Sequence, residues 1–204
     1  MAVLLRRPPP GGHIALIGLM GAGKTSVGRV LAQRTERQFV DLDELIVARC
    51  GETIPEIFEH HGEEGFRARE ADVLGQALTS DASSVIATGG GVVERIDNRH
   101  ALRRSSWVVW LDVAPSVAFD RVGADPGRPL LGPDDSSART RLSELARARR
   151  LLYRLTAHQT VRADRSVDEI AERVQQGTVP IRAVALSAVA AVVVMASLVL
   201  ATIR

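Results

Sequence analysis

The segment Gly18-Leu-Met-Gly-Ala-Gly23-Lys24-Thr25 fits the spacing GxxxxGK[ST] and lies between a short apolar run, His13 to Ile17, and an amphipathic stretch that starts at Lys24. A strand that ends in a glycine-rich turn and opens directly into a helix belongs to an α/β layer arrangement. The turn also carries chemistry. Its glycines let the backbone curl until N–H groups face phosphate oxygens, and the helix N-terminus adds a favourable dipole. Lys24 is placed to reach the β- and γ-phosphates of a nucleotide, and Thr25 offers a hydroxyl to Mg²⁺. Of the 26 basic residues in the chain, only Lys24 is a lysine. A planar guanidinium replaces a compact ammonium badly in a phosphate pocket, so a lysine kept at this one position is kept for chemistry. Codon bias with one chance survivor, the alternative, leaves its placement inside a phosphate-binding motif unexplained, and a glycine-rich structural turn is the alternative to the nucleotide reading of the motif itself.

Beyond the turn, the 204 residues are enough for one domain with an appendage. Residues 1–12 combine two arginines, three prolines and two glycines and read as a flexible leader without the apolar run of a signal peptide. Apolar β-branched runs then alternate with amphipathic stretches, the pattern of a parallel sheet covered on both faces. Strands are expected at His13 to Ile17, Gln38 to Asp41, Val85 to Thr88, Trp107 to Leu111 and Gln159 to Ala163. The clearest helices are Lys24 to Arg34, Glu63 to Thr79, Ala138 to Leu155 and Val167 to Gln176. The fold class is therefore α/β, a three-layer P-loop arrangement with a five-stranded parallel sheet over residues 13–177. Gly123 to Ser137, rich in glycine, proline and aspartate, is expected to be an exposed, mobile loop.

The formal charge of +2 is small and the basic residues are scattered, which argues against nucleic acid as a partner. A single cysteine, Cys50, cannot form an internal disulfide and suits a reducing cytosol. The five histidines show no zinc-site spacing. Residues 178–204 form a hydrophobic tail in which Ala183 to Ile203 carries no charge for 21 residues. That is long enough to cross a bilayer as a transmembrane helix, with the catalytic domain left in the cytoplasm.

Two further clusters fall at strand ends, where open α/β sheets bind ligands. Phe39-Val-Asp41-Leu-Asp43 offers two carboxylates two residues apart, on one face if the chain is extended. One can serve the metal and the other an acceptor hydroxyl, although a helix N-cap at Asp43 is the plainer reading. Thr88-Gly89-Gly90-Gly91 gives a floor of bare N–H groups. Arg67, in Phe66-Arg67-Ala-Arg-Glu70, could be no more than half of a helix ion pair worth ~0.2–0.5 kcal/mol. Arg128 and Arg149 are equally neutral on composition alone.

Taken in order, GxxxxGKT, FxDxD, FRxxE, GGG and RPLL resemble the shikimate kinase family of nucleoside-monophosphate-kinase-like P-loop enzymes, across residues 13–176. The resemblance implies transfer of the γ-phosphoryl group of MgATP to shikimate, giving 3-phosphoshikimate, a step of aromatic amino acid biosynthesis. It implies ATP contacts from Gly21, Ala22, Gly23, Lys24, Thr25 and Ser26, with Arg121 against adenine and Arg128 as a lid arginine on the transferring group. Asp43 would be the acceptor-side base, and Asp41 would support Mg²⁺ with Thr25. Arg67 and Arg149 would hold the shikimate carboxylate, Gly90 and Gly91 would supply backbone contacts, and Phe58 and Phe66 would pack nearby. The chain is expected to act as a monomer. It departs from the family in reading Arg149-Arg150-Leu151-Leu152-Tyr153 where RxPLY is usual, and in its hydrophobic tail. Two alternatives stay open: a sugar-acid kinase of the same fold, and a membrane-tethered nucleotide-binding regulator.

Overall fold

Buried on both faces, a strand must be apolar almost throughout, and β1 (His13–Ile17), β3 (Ser84–Ala87) and β4 (Ser106–Asp112) read so. In the computed structural model, which describes residues 12–122 and 135–178, they lie side by side at the centre of a five-stranded sheet. The strand order is β2-β3-β1-β4-β5, and every pairing is parallel. The outer strands, β2 (Gln38–Asp41) and β5 (Gln159–Arg162), are more polar and partly exposed, as edge strands are. Between β2 and β1 runs β3, buried throughout.

Side-chain alternation divides the core into two layers. Ile14 and Leu16 of β1, with Trp107, Val109 and Leu111 of β4, face a cluster built on α1 (Lys24–Arg34), α5 (Pro115–Val122), α6 (Asp135–Thr156) and α7 (Val167–Thr178). Ala15 and Ile17, with Val108 and Trp110, face the opposite cluster, formed with α2 (Leu42–Cys50), α3 (Ile54–Thr79) and α4 (Ile96–Ser105). These are the three layers expected from the strand and helix pattern.

The elements differ in detail from the sequence reading. β3 begins at Ser84 and ends at Ala87, β4 gains one residue at each end, and β5 stops at Arg162. The helix expected from Glu63 is the second half of α3, whose first half opens on a Thr53–Glu56 capping box. Gly62, at φ 66°, separates the halves and lets the second turn its Phe66–Arg67–Glu70 face toward the sheet. Asp135 to Ser137 belong to α6 rather than to the expected loop, consistent with the preference of aspartate and serine for helix starts. The remainder of that loop lies outside the described residues, as do the leader to Gly11 and the tail from Val179. Among the described residues, no helix is long and apolar enough to cross a membrane.

Candidate active site

Strand register brings the motifs together. Ala87 pairs with Leu16 on one side and with Asp41 on the other, so β1, β2 and β3 end at the same level. The P-loop, the second acidic residue of the DxD motif and the three glycines all start from that edge. Thr88 pins the arrangement, donating its N–H (3.2 Å) and its hydroxyl (2.9 Å) to Leu16 O.

In the P-loop, Gly21 adopts φ 76°, and a Cβ there would stand 2.4 Å from Ala118 O, so both backbone and space require glycine. Lys24 opens α1 and folds back over the loop, its Nζ donating to Gly18 O (2.9 Å) and Leu19 O (3.0 Å). The ammonium is thereby held inside the ring of backbone that would surround phosphates. Ala22 is buried under the loop, while Thr25 and Ser26 stand exposed on the first turn of α1. Arg121, at the end of α5, lies across the loop and ties Gly21 O (3.2 Å) to Ala163 O (2.9 Å) beyond β5.

The two aspartates are not on one face of an extended chain, which corrects the sequence reading. β2 ends at Asp41 and the chain turns at once into α2, because Asp41 itself caps that helix by accepting the Asp43 N–H (3.1 Å). The N-cap is Asp41, not Asp43. Its other oxygen accepts the Thr25 hydroxyl at 2.8 Å. Asp43 stands in the first turn of α2 and points toward the glycine turn, where its Oδ1 would lie 3.4 Å from a Cβ on Gly89.

Two arginines from different helices meet over the same turn. Arg67 of α3 and Arg149 of α6 are 9% and 2% exposed in their side chains. Arg67 contacts Glu70 (3.0 Å), Glu63 (3.1 Å) and Glu94 (3.2 Å). Burial pulls its guanidinium pKa down, but the Glu70 and Glu94 carboxylates outweigh that and hold it above the usual value. It passes so close to the chain that a Cβ on Gly91 would stand 2.2 Å from its Nη2. This is a buried multi-carboxylate cluster rather than the solvated helix pair that the spacing also allowed. Burial raises the Glu70 carboxyl pKa in spite of Arg67, and one Glu70 oxygen has no hydrogen-bond partner.

Arg149 grips Glu94 through Nε (2.9 Å) and Nη2 (2.8 Å), while its Nη1 is buried without a hydrogen-bond partner near Gly90. Leu151, in place of the family's proline, is exposed and lies within an uninterrupted α6. The substitution therefore leaves Arg149 at the site. Tyr153, one helical turn on, donates its hydroxyl to Gly90 O. Phe58 and Phe66 pack against each other with ring centroids 4.8 Å apart and planes tilted by 32°, and the Arg67 guanidinium lies 5.3 Å from the Phe66 ring centre.

Of the residues selected from sequence, the structure therefore gathers Asp41, Asp43, Arg67, Gly90, Gly91, Arg149, Phe58 and Phe66 with the P-loop. Arg128 lies outside the described residues. Sequence reasoning missed Glu94 and Tyr153. The only hint of Glu94 was its position three residues after the glycine run.

A phosphate-binding loop, a carboxylate beside the glycine turn and a buried pair of cations on one sheet edge define a P-loop small-molecule kinase. The comparisons with known proteins narrow the class. Residues 20–178 match the family model described as shikimate kinase. A shikimate kinase of Symbiobacterium thermophilum is 49% identical over 172 residues, covering 80% of this chain and 97% of that one. One of Dechloromonas aromatica is 51% identical over 146 residues, covering 72% and 78%. Among solved structures, shikimate kinase from Acinetobacter baumannii in complex with shikimate superposes with a TM-score of 0.78 at 38% identity, covering 81% of this chain and 91% of that one. The chain belongs to the shikimate kinase family.

Proposed function

We infer that this chain transfers the γ-phosphoryl group of ATP to a hydroxyl of shikimate, yielding ADP and 3-phosphoshikimate. The observation that carries the reading is the convergence of Arg67 and Arg149 on one carboxylate beside Asp43 and the P-loop. Paired guanidinium forks recognise a carboxylate, so the acceptor is a hydroxy acid. Asp43 accepts the proton of the attacking hydroxyl as the new O–P bond forms and the bond to the β-phosphate breaks. Lys24 and the P-loop N–H groups hold the phosphates, Arg121 borders the adenine, and Arg128 reaches the transferring group. Gly90 and Gly91 floor the acceptor site, and Phe58 and Phe66 wall it. We read the enzyme as a monomer.

The Thr25 hydroxyl and the Asp41 carboxylate, 2.8 Å apart, are the hard oxygen donors Mg²⁺ takes, with phosphate and water completing its shell. Those two residues would hold the ion, which would neutralise charge on the phosphates.

Sugar-acid kinases are separated by an acceptor panel with a coupled ADP assay. Shikimate is expected to drive ADP release and gluconate is not; the reverse would overturn the reading. Arg67→Lys keeps the charge but loses the fork. We expect it to raise the KM for shikimate about tenfold or more with little change for ATP. A change confined to the KM for ATP would count against the clamp.

The uncharged segment 183–203 is read as a membrane anchor for this catalytic domain. At ~1.5 Å per residue its 21 residues would span about 31 Å as a helix, close to the hydrocarbon thickness. Full-length protein should sediment with membranes without detergent and a chain ending at Gly177 should not. A monodisperse full-length protein in the supernatant would overturn the anchor.

A further inference from the structure

Glu94 is given no part in phosphoryl transfer, yet it is the residue that joins the two buried arginines. Its Oε1 accepts from Arg149 Nε at 2.9 Å and Nη2 at 2.8 Å, and its Oε2 lies 3.2 Å from Arg67 Nη2. A carboxylate ligand would be gripped by these forks in the same manner. We propose that Glu94 is an internal stand-in for the acceptor's carboxylate, which ties Arg67 and Arg149 together in the free enzyme and is displaced when shikimate binds. The inference rests on the acceptor reading above.

A guanidinium buried as deeply as Arg149 is costly without a counter-charge, so an anion must face it when no acceptor is bound. Four carboxylates surround the cluster, and only one combines reach with freedom to leave. Asp43 faces the glycine turn from α2. Glu70 is fully buried in the middle of α3, fixed by its helix and by Arg67. Glu63 is half exposed but contacts Arg67 alone among the two arginines. Glu94 bridges both from the turn after Gly91, outside any helix, with 36% of its side chain exposed. It can swing into water without unwinding an element. A second carboxylate entering beside it would meet like-charge repulsion, so displacement is favoured over sharing.

The incoming ligand has an advantage that Glu94 lacks. Arg149 Nη1 is buried without a hydrogen-bond partner and lies 3.6 Å from where a Cβ on Gly90 would stand. An acceptor seated on the glycine floor can engage this donor as well as those Glu94 gives up. Acceptor affinity is then a difference between two carboxylate contacts, and an acid too poorly shaped to reach that donor does not displace Glu94.

The test is the steady-state kinetics of Glu94→Gln, which keeps the volume and removes the charge. Displacement predicts that the KM for shikimate falls about tenfold while that for ATP stays within about twofold. A residue that merely braces the arginines predicts the opposite sign, so a KM for shikimate that is unchanged or raised overturns the proposal. If the variant fails to fold, the wild-type protein crystallised with shikimate decides. Glu94 should stand beyond ~4 Å from Arg149, and a carboxylate still within hydrogen-bond distance of it overturns the inference. Wild-type enzyme that turns over shikimate while either test fails sinks only the displacement. Wild-type enzyme with no turnover of shikimate overturns the acceptor reading and this inference with it.

Discussion

Lys24→Ala is expected to lower kcat on the order of 10³-fold, the scale seen when one fixed electrostatic contact to a developing charge is removed from a closed site. The expectation follows from where the ammonium already sits. Its Nζ is held by Gly18 O and Leu19 O at 2.9 and 3.0 Å, inside the phosphate loop, before any nucleotide arrives. From there it can pass its donors from these carbonyls to phosphate oxygens as the nucleotide enters the loop. Lys24→Arg should fail almost as badly, because a planar fork cannot occupy the same point without moving loop backbone. The fold should survive both changes, since the helix start depends on Gly23 and the packing of α1 rests on Val27, Leu31 and Ala32. Circular dichroism and melting of the variants check that. A folded Lys24→Ala enzyme with most of its kcat would remove Lys24 from the chemistry.

Asp43→Asn should cost at least ~10²-fold in kcat with ATP affinity little altered, the range for a positioned acid-base group. The division of labour between the two aspartates makes this selective. Asp41 is committed on both oxygens, to the Asp43 N–H and to the Thr25 hydroxyl. It is proposed for the nucleotide side, and its cap stabilises the helix that carries Asp43. Asparagine at 43 keeps the shape and leaves that cap in place, because the capped group is the backbone N–H of residue 43. Separate measurement of nucleotide binding, by titration with a non-hydrolysable analogue, distinguishes the roles. A variant that loses nucleotide binding and keeps its single-turnover rate would show that the roles of Asp41 and Asp43 are exchanged.

The parts of the fold legible in the sequence are those where one signal was strong and local. β1 and α1 flank the glycine turn, and both were placed to the residue because an apolar run, a turn and an amphipathic run follow each other without ambiguity. α2, α4 and α5 were not individually resolved. In α4, Ile96–Ser105, only Asn98 and Leu102 are buried, so its ten residues carry almost no apolar rhythm. α5 is only eight residues long. The corner at Asp41 was misread because one residue both ends a strand and caps a helix, and periodicity cannot express that overlap.

At the site, each motif residue could be nominated from sequence, but the weight of Arg67 and Arg149 could not. Arg67 lies in α3 and Arg149 in α6, 82 positions apart in the chain, and their meeting is a property of the sheet order. Glu94 looked like any exposed acid, and only the convergence of both helices on the glycine turn shows what it touches. The segments outside the described residues, including Arg128, stay with the sequence reading.

The central claim is that this site phosphorylates a hydroxy acid recognised through its carboxylate. It is tested most directly by comparing shikimate with its methyl ester in the coupled ADP assay, at saturating ATP. The ester keeps the ring and hydroxyls but offers the two arginines no ionised group to grip, so it gains none of the charge-assisted contacts expected of the acid. The account predicts ADP release that depends on shikimate, with kcat/KM for the ester lower by ~10²-fold or more. An ester turned over as well as the acid, or no shikimate-dependent ADP release at all, would contradict it.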